Sequence, residues 1–166
     1  MKVSLFPASH EREHDISSLV QASFLELVAS YWEPSVQRTF LQESSPDAIR
    51  RGIQGGEFSA VAKVDGELMG FILLPSPDVV GMFFVRPGSV RKGIGSALWQ
   101  AAKEHLAEHR PCVKAVELNA SPYAVPAYLA MGFHATSEPY RKGGCVATRM
   151  AYTLSSVQPM GGASVA

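Results

Sequence analysis

The sequence predicts an α/β fold, in which a mixed, mostly antiparallel sheet of about six to seven strands is flanked by about four helices. Three stretches carry that expectation. Residues 79–109 read as an apolar strand, a basic glycine-containing turn and a long helix. Residues 58–74 read as a hairpin folded at Asp65-Gly66. Residues 115–119 read as a strand after the long helix, so the chain contains one strand–helix–strand crossover that returns parallel.

Taken in order, residues 2–7 form a first strand. Ile16, Leu19, Val20, Phe24, Leu27 and Val28 then recur at helical spacing, with Asp15 as the expected cap. That helix stops before Pro34. A second helical region starts near Ser35 and includes Phe40 and Leu41. Ser45-Pro46 reads as an N-cap followed by the first helical position, and Gly55-Gly56 closes that helix. Residues 58–64 and 67–74 are the two arms of the hairpin, the second stopped by Pro75. Residues 79–85 are rich in β-branched and aromatic side chains and form the third strand of a meander. Ile94, Ala97, Leu98, Ala101 and Leu106 share one face of the long helix. A short helix is expected over residues 125–131, with Pro126 early and Gly132 at its end. Residues 133–140 and 145–154 read as the last two strands, joined by Arg141-Lys142-Gly143-Gly144. Residues 1–154 are expected to form a single domain, and the small, glycine-rich residues 155–166 a flexible tail.

The 166 residues are long enough to bury one sizeable core. Fifteen basic and fifteen acidic side chains give a formal net charge of zero, which argues against a charge-driven nucleic-acid or membrane binder. No apolar run approaches the ~20 residues that span a bilayer. The first residues do not read as a signal peptide, and Cys112 and Cys145 read as free thiols in a reducing cytoplasm. The histidines and cysteines have no metal-ligand spacing, so no metal site is expected.

The turn at residues 86–96 holds the chemistry. Gly93 and Gly95 stand where the turn becomes a helix. The first N–H groups of a helix have no internal partner, and the dipole makes that end partly positive. A strand, glycine turn and helix are therefore suited to a phosphate or diphosphate. A P-loop would need Lys and Ser or Thr after the glycine, but Ile94 follows Gly93. A dinucleotide fingerprint would need a third glycine where Leu98 stands. The third reading is a resemblance. Val90-Arg91-Lys92-Gly93-Ile94-Gly95 resembles the pyrophosphate loop of the GNAT superfamily of N-acetyltransferases, with Val90 where that family usually has Arg or Gln. The element order resembles the whole GNAT fold, from about residue 3 to 154.

That resemblance implies acetyl-CoA as co-substrate, and a central strand that parts from the strand after the long helix. It implies that Phe83, Phe84 and Val85 hold the pantetheine arm through main-chain groups. Val90, Arg91, Lys92, Gly93, Ile94, Gly95 and Ser96 would hold the diphosphate. Residues 118–133 resemble a second family motif, which implies a cofactor or strand-bridging role for Asn119 and a catalytic role for Tyr128, the latter four residues before Gly132-Phe133. The implied reaction is direct attack of a primary amine on the thioester in a ternary complex. Tyr128 would serve the departing thiolate, and a main-chain N–H near Phe83 the oxyanion.

No base is assigned. Val79, Val80, Gly81 and Met82 do not titrate, and Glu117, Glu138, His134 or ordered water remain open. Tyr123 and Tyr140 are further candidates to line the cleft. Phe24, Trp32 and Phe40 suit either a hydrophobic amine or plain core. The acceptor is expected to be a small-molecule or peptide amine, with no nucleic-acid or membrane partner; a homodimer is compatible with the sequence but not fixed by it. The alternative is a non-catalytic acyl-CoA-binding domain of the same fold, motivated by the absent central-strand carboxylate.

Overall fold

The computed structural model describes residues 2–89 and 92–155. Its strands are β1 (Val3–Pro7), β2 (Phe58–Val64), β3 (Glu67–Leu74), β4 (Met82–Val85), β5 (Ala115–Ala120), β6 (His134–Ala135), β7 (Tyr140–Lys142) and β8 (Cys145–Thr153). The α-helices are α1 (Glu13–Leu27), α2 (Pro34–Glu43), α3 (Pro46–Gly55), α4 (Ile94–His109) and α5 (Val125–Ala130). The mixed α/β class expected from the sequence is what folds, with two four-stranded halves. One half runs β1-β2-β3-β4, all antiparallel. In the other, β8 pairs antiparallel with β5, β6 and β7. An isolated parallel bridge, Val79 with Glu117, joins β5 to the segment that leads into β4.

The strand period decides which residues face which layer. Ala60, Ala62, Ile72 and Leu74 turn to one side and meet Leu98, Trp99, Ala102 and Leu106 of α4. Val61, Phe71 and Leu73 turn to the other and meet Ile16, Leu19 and Val20 of α1, with Ile49 of α3. The β1–β4 half is therefore a sheet sandwiched between helices. In β5, Val116, Leu118 and Ala120 are buried in the α4 layer, while Glu117 and Asn119 are exposed on the opposite face. Gly70 fixes how closely α4 lies on β3: a Cβ there would stand 2.9 Å from both Ile94 and Leu98.

Local chemistry explains several boundaries. Ser45 caps α3 by accepting from the Ala48 N–H at 3.3 Å, with Pro46 in the first turn. Asp65 and Gly66 both take positive φ between β2 and β3, as a tight hairpin requires. Other expectations need correction. Asp15 lies inside the first turn of α1, and Arg12 occupies the cap position. The third meander strand is not continuous over residues 79–85. Gly81 donates to the Leu73 carbonyl, and Leu73 is also the residue opposite Met82, so two residues face one there. That is a β-bulge, and regular pairing begins only at Met82. Nor do residues 133–140 form one strand. Ser137 and Pro139 interrupt it, and Ser137 Oγ accepts the Arg149 N–H at 3.0 Å in place of a ladder bond. The tail expected over residues 155–166 lies, past Ser155, outside the described residues.

Glu57 fastens the far end of α4 to the sheet. Its carboxylate accepts from Arg110 Nε and Nη2, both at 2.9 Å, and contacts His105 Nε2 at 3.0 Å. The Arg110 hydrogen bonds first, then that of His105, pull its pKa from 4.5 down to about 2. A carboxyl whose folded pKa is depressed stabilises the fold above its unfolded value and loses that contribution as pH falls. Melting temperature should therefore drop between about pH 4.5 and 2, and Glu57→Gln should flatten that limb. Parallel limbs in the two proteins would remove Glu57 as the cause.

Candidate active site

The two halves of the sheet part immediately after they touch. The Glu117 N–H donates to the Asp78 carbonyl at 2.8 Å, and the Val80 N–H donates to the Glu117 carbonyl at 2.9 Å. Beyond this point β4 and β5 share no ladder. In an antiparallel ladder, successive residues turn their N–H and C=O alternately to opposite edges. The Arg86 N–H donates to Met69 and continues the β3–β4 register, so Phe84 and Met82 face β3. Phe83 and Val85 therefore present their main-chain groups to the opening. The same count applies to β5. Leu154 N–H donates to Lys114, so the even residues bond β8 and Asn119 turns its main chain to the opening.

At the end of the parted strands lies the start of α4. Gly93 occupies the cap position with φ +79, and its carbonyl accepts the Ala97 N–H at 3.0 Å. The left-handed conformation suits glycine. Among the described residues no side chain caps this helix, which leaves its first N–H groups to a ligand or water. Gly93, Gly95 and Ser96 line a cleft of about 1230 Å³ that runs through the opening. Lys92 is exposed beside it. Ile94 is buried and anchors the helix in the core instead of facing the cleft. Val90 and Arg91 lie outside the described residues.

The other predicted residues gather on the same cleft. Tyr128 is 9% exposed, lines the cleft, and packs between Phe83 (ring centroids 5.8 Å) and Phe133 (5.4 Å). Burial drives its phenol pKa well above the ordinary value. Asn119 accepts at Oδ1 from the Tyr140 hydroxyl at 3.1 Å, a link from β5 to β7. Phe84 is placed differently from Phe83 and Val85. Its main chain faces β3, and its ring approaches Phe40 at 5.9 Å on the α1–α2 side. Trp32, Phe24 and Phe40 stack there into one aromatic wall, with Phe24 and Phe40 centroids 4.1 Å apart. This wall is stitched to the β7–β8 turn. Glu33 N–H donates to the Gly144 carbonyl at 2.8 Å, and Trp32 bridges Cys145. Glu117 lines a small annexe of the cleft, whereas His134 and Glu138 line neither cavity. Tyr123 and Tyr140 line the main cleft. Lys142 and Arg149, which carry no local signal of a site in the sequence, also line it. Among the described residues no group of three or more His, Cys, Asp or Glu side chains is placed to hold a metal, and no helix is long and apolar enough to cross a membrane.

These features fit a coenzyme A thioester. Two lips of unpaired main chain can receive an extended amide-bearing arm as a sheet receives a strand. The uncapped, glycine-led helix start suits a diphosphate. A sheet parted beside such a helix is the architecture of an acyltransferase that takes its acyl group from coenzyme A. Residues 18–154 match the acetyltransferase (GNAT) domain family, and the chain belongs to that family, with acetyl-CoA as its co-substrate.

Among curated proteins, the chain is 27% identical over 124 residues to the peptidyl-lysine N-acetyltransferase YiaC of Escherichia coli. That match covers 74% of this chain and 82% of the relative. Among solved structures it is similar to a GCN5-related N-acetyltransferase from Rhodopseudomonas palustris (TM-score 0.77, 23% identity, 93% of this chain and 97% of that one). It is also similar to the PaiA N-acetyltransferase of Thermoplasma acidophilum in complex with coenzyme A (TM-score 0.75, 16% identity, 92% of this chain and 99% of that one).

Proposed function

We propose that this chain transfers the acetyl group of acetyl-CoA to a primary amine of a small molecule or peptide, by direct attack in a ternary complex. The observation that carries the reading is the parted β4–β5 pair, with Phe83, Val85 and Asn119 turned into the gap and Tyr128 buried beside it. In this proposal the N–H groups at the start of α4, from Gly93 to Ser96, hold the diphosphate, with charge from Lys92. The sequence resemblance extends the same role to Val90 and Arg91. Main-chain groups of Val85 and Asn119 hold the pantetheine arm, and the Phe83 N–H meets the thioester oxygen. Phe84 departs from the role expected for it, because its main chain faces β3. It joins the acceptor wall instead.

The amine nitrogen attacks the carbonyl carbon as a free base. The C–N bond forms, negative charge gathers on the oxygen, and the C–S bond then breaks. The nitrogen loses a proton, and the sulfur leaves as a thiolate that is protonated afterwards. Tyr128 donates a hydrogen bond to the sulfur as its charge grows.

The test follows free thiol released from acetyl-CoA across a panel of amines that includes lysyl peptides, which the Escherichia coli relative's name brings into the panel. Amine-dependent release is expected, together with equimolar acetylated product. The alternative, a non-catalytic acyl-CoA-binding domain, has one feature in its favour: residues 79–85 contain no carboxylate. It predicts a melting shift with acetyl-CoA and no thiol release from any amine, a result that would sink the catalytic reading.

A further inference from the structure

The cleft is not uniform in charge. Glu43 stands on the α2 side with the aromatic wall, while Lys142 and Arg149 stand on the β7–β8 side. Arg149 also lines the annexe, a space of about 310 Å³ bounded by Val79, Val80, Glu117, Leu118 and Asn119. The annexe therefore sits at the point where the two sheet halves separate. Arg149 and Asn119 are register partners across β8 and β5, so their side chains share a face. This is the face of β5 turned away from α4, where Glu117 and Asn119 are exposed.

The Arg149 backbone is held on its other edge. Its N–H donates to Ser137 Oγ at 3.0 Å, and its carbonyl accepts from the Thr136 N–H at 2.8 Å and from Thr136 Oγ1 at 3.3 Å. The guanidinium projects from this fixed point. None of the ion pairs among the described residues includes Arg149, Lys142 or Glu117. Asn119 uses its Oδ1 on Tyr140, which leaves its amide N–H groups as donors. A guanidinium fork beside an amide donor matches a carboxylate, which accepts two parallel hydrogen bonds.

We infer that Arg149, assisted by the Asn119 amide, receives a carboxylate of the acceptor, and that the favoured acceptors are free α-amino acids with apolar side chains. The inference rests on the proposed acetyl transfer and narrows its substrate. Arg149 and Asn119 line the main cleft as well as the annexe, and Glu117 already puts a carboxylate in the annexe, so the acceptor's anion is placed on the cleft side of Arg149, next to its own amine. An α-carboxylate meets that condition. The aromatic wall of Trp32, Phe40 and Phe84 on the other side takes the apolar side chain.

The experiment uses the full chain and matched pairs that differ only in the carboxylate: phenylalanine with phenethylamine, and leucine with isopentylamine. Their kcat/KM values are compared, and so is calorimetric binding of the corresponding N-acetyl products to the coenzyme A-loaded protein. The acid of each pair should be favoured at least ~10-fold, the effect of one charge-assisted hydrogen-bonded contact. Arg149→Gln should bring each pair close to parity, Arg149→Lys should restore part of the preference, and acetyl-CoA affinity should stay unchanged. Parity in the native chain, or a preference that survives Arg149→Gln, overturns the proposal. A preference confined to peptides with an acidic residue beside the amine would move the carboxylate to a peptide and overturn the free amino-acid form. If no amine turns over, acetyl transfer fails. The product-binding ratio still decides the role of Arg149.

Discussion

Tyr128→Phe is expected to lower kcat by about 10²- to 10³-fold, the usual cost of removing one hydrogen-bond donor aimed at charge that develops in a transition state. Affinity for acetyl-CoA should remain within about twofold, because no main-chain contact of the cleft passes through this hydroxyl. Folding should survive as well. The ring sits between Phe83 and Phe133, and phenylalanine keeps both contacts. The buried environment also defines what kind of acid Tyr128 is. A simple thiol titrates near 8.5 and a free phenol near 10. Burial widens that gap by raising the phenol further. Full transfer of the phenolic proton to a thiolate would therefore be uphill, so in the proposed mechanism Tyr128 is a neutral hydrogen-bond donor. Two measurements check this. Single-turnover rates should fall in the variant without a change in acetyl-CoA titration. The alkaline limb of kcat up to pH ~10 should run parallel in the two proteins, since burial raises the phenol above its ordinary value near 10. An unchanged kcat removes Tyr128 from the chemistry, and a limb present only with tyrosine contradicts the neutral-donor role.

The parts of this fold that were legible in the sequence are those whose cause is local. The Asp65-Gly66 turn and the Ser45-Pro46 helix start each rest on a few neighbouring residues, and so do the two ends of α4. The bulge at Gly81 was not legible, because it comes from two partners distant in sequence: Leu73 on one side and Glu117 on the other draw successive N–H groups. That bulge sets which main chain faces the gap. It separates Phe83 and Val85 from Phe84, a distinction no single-strand reading can make. Arg149 illustrates a second limit. Alternation along the last strand places Thr148 and Met150 inward and Arg149 on the opposite face. Whether that face meets solvent, a helix or a substrate depends on which elements cover it. Here α1 and α3 pack over β2 and β3, while the face of β5 and β8 that carries Glu117, Asn119 and Arg149 opens onto the cleft and its annexe.

Gly95→Asp should separate cofactor binding from folding. Gly95 is the second residue of α4, and a Cβ built there would lie 3.7 to 3.8 Å from Phe83 and Val85, an ordinary contact. The substitution therefore fits the folded chain. Aspartate has little more helix propensity than glycine, but an acidic side chain in the first turn contributes about 0.3–1 kcal/mol through the helix dipole. The melting temperature of the free protein should hold or rise. Binding should move the other way, because the carboxylate would occupy the cleft where the proposed diphosphate lies. Two like charges about 4 Å apart at an effective dielectric near 20 repel by about 4 kcal/mol. With part of that screened by salt, a loss of at least ~100-fold in acetyl-CoA affinity remains. Gly95→Ala, which adds volume without charge, should lose much less, so the ratio of the two variants isolates the electrostatic part. That ratio should shrink as salt is raised. If Gly95→Asp binds acetyl-CoA as tightly as the native chain while keeping its fold, the diphosphate does not sit at the start of α4. A helix end that tolerates an added carboxylate has no anion to hold.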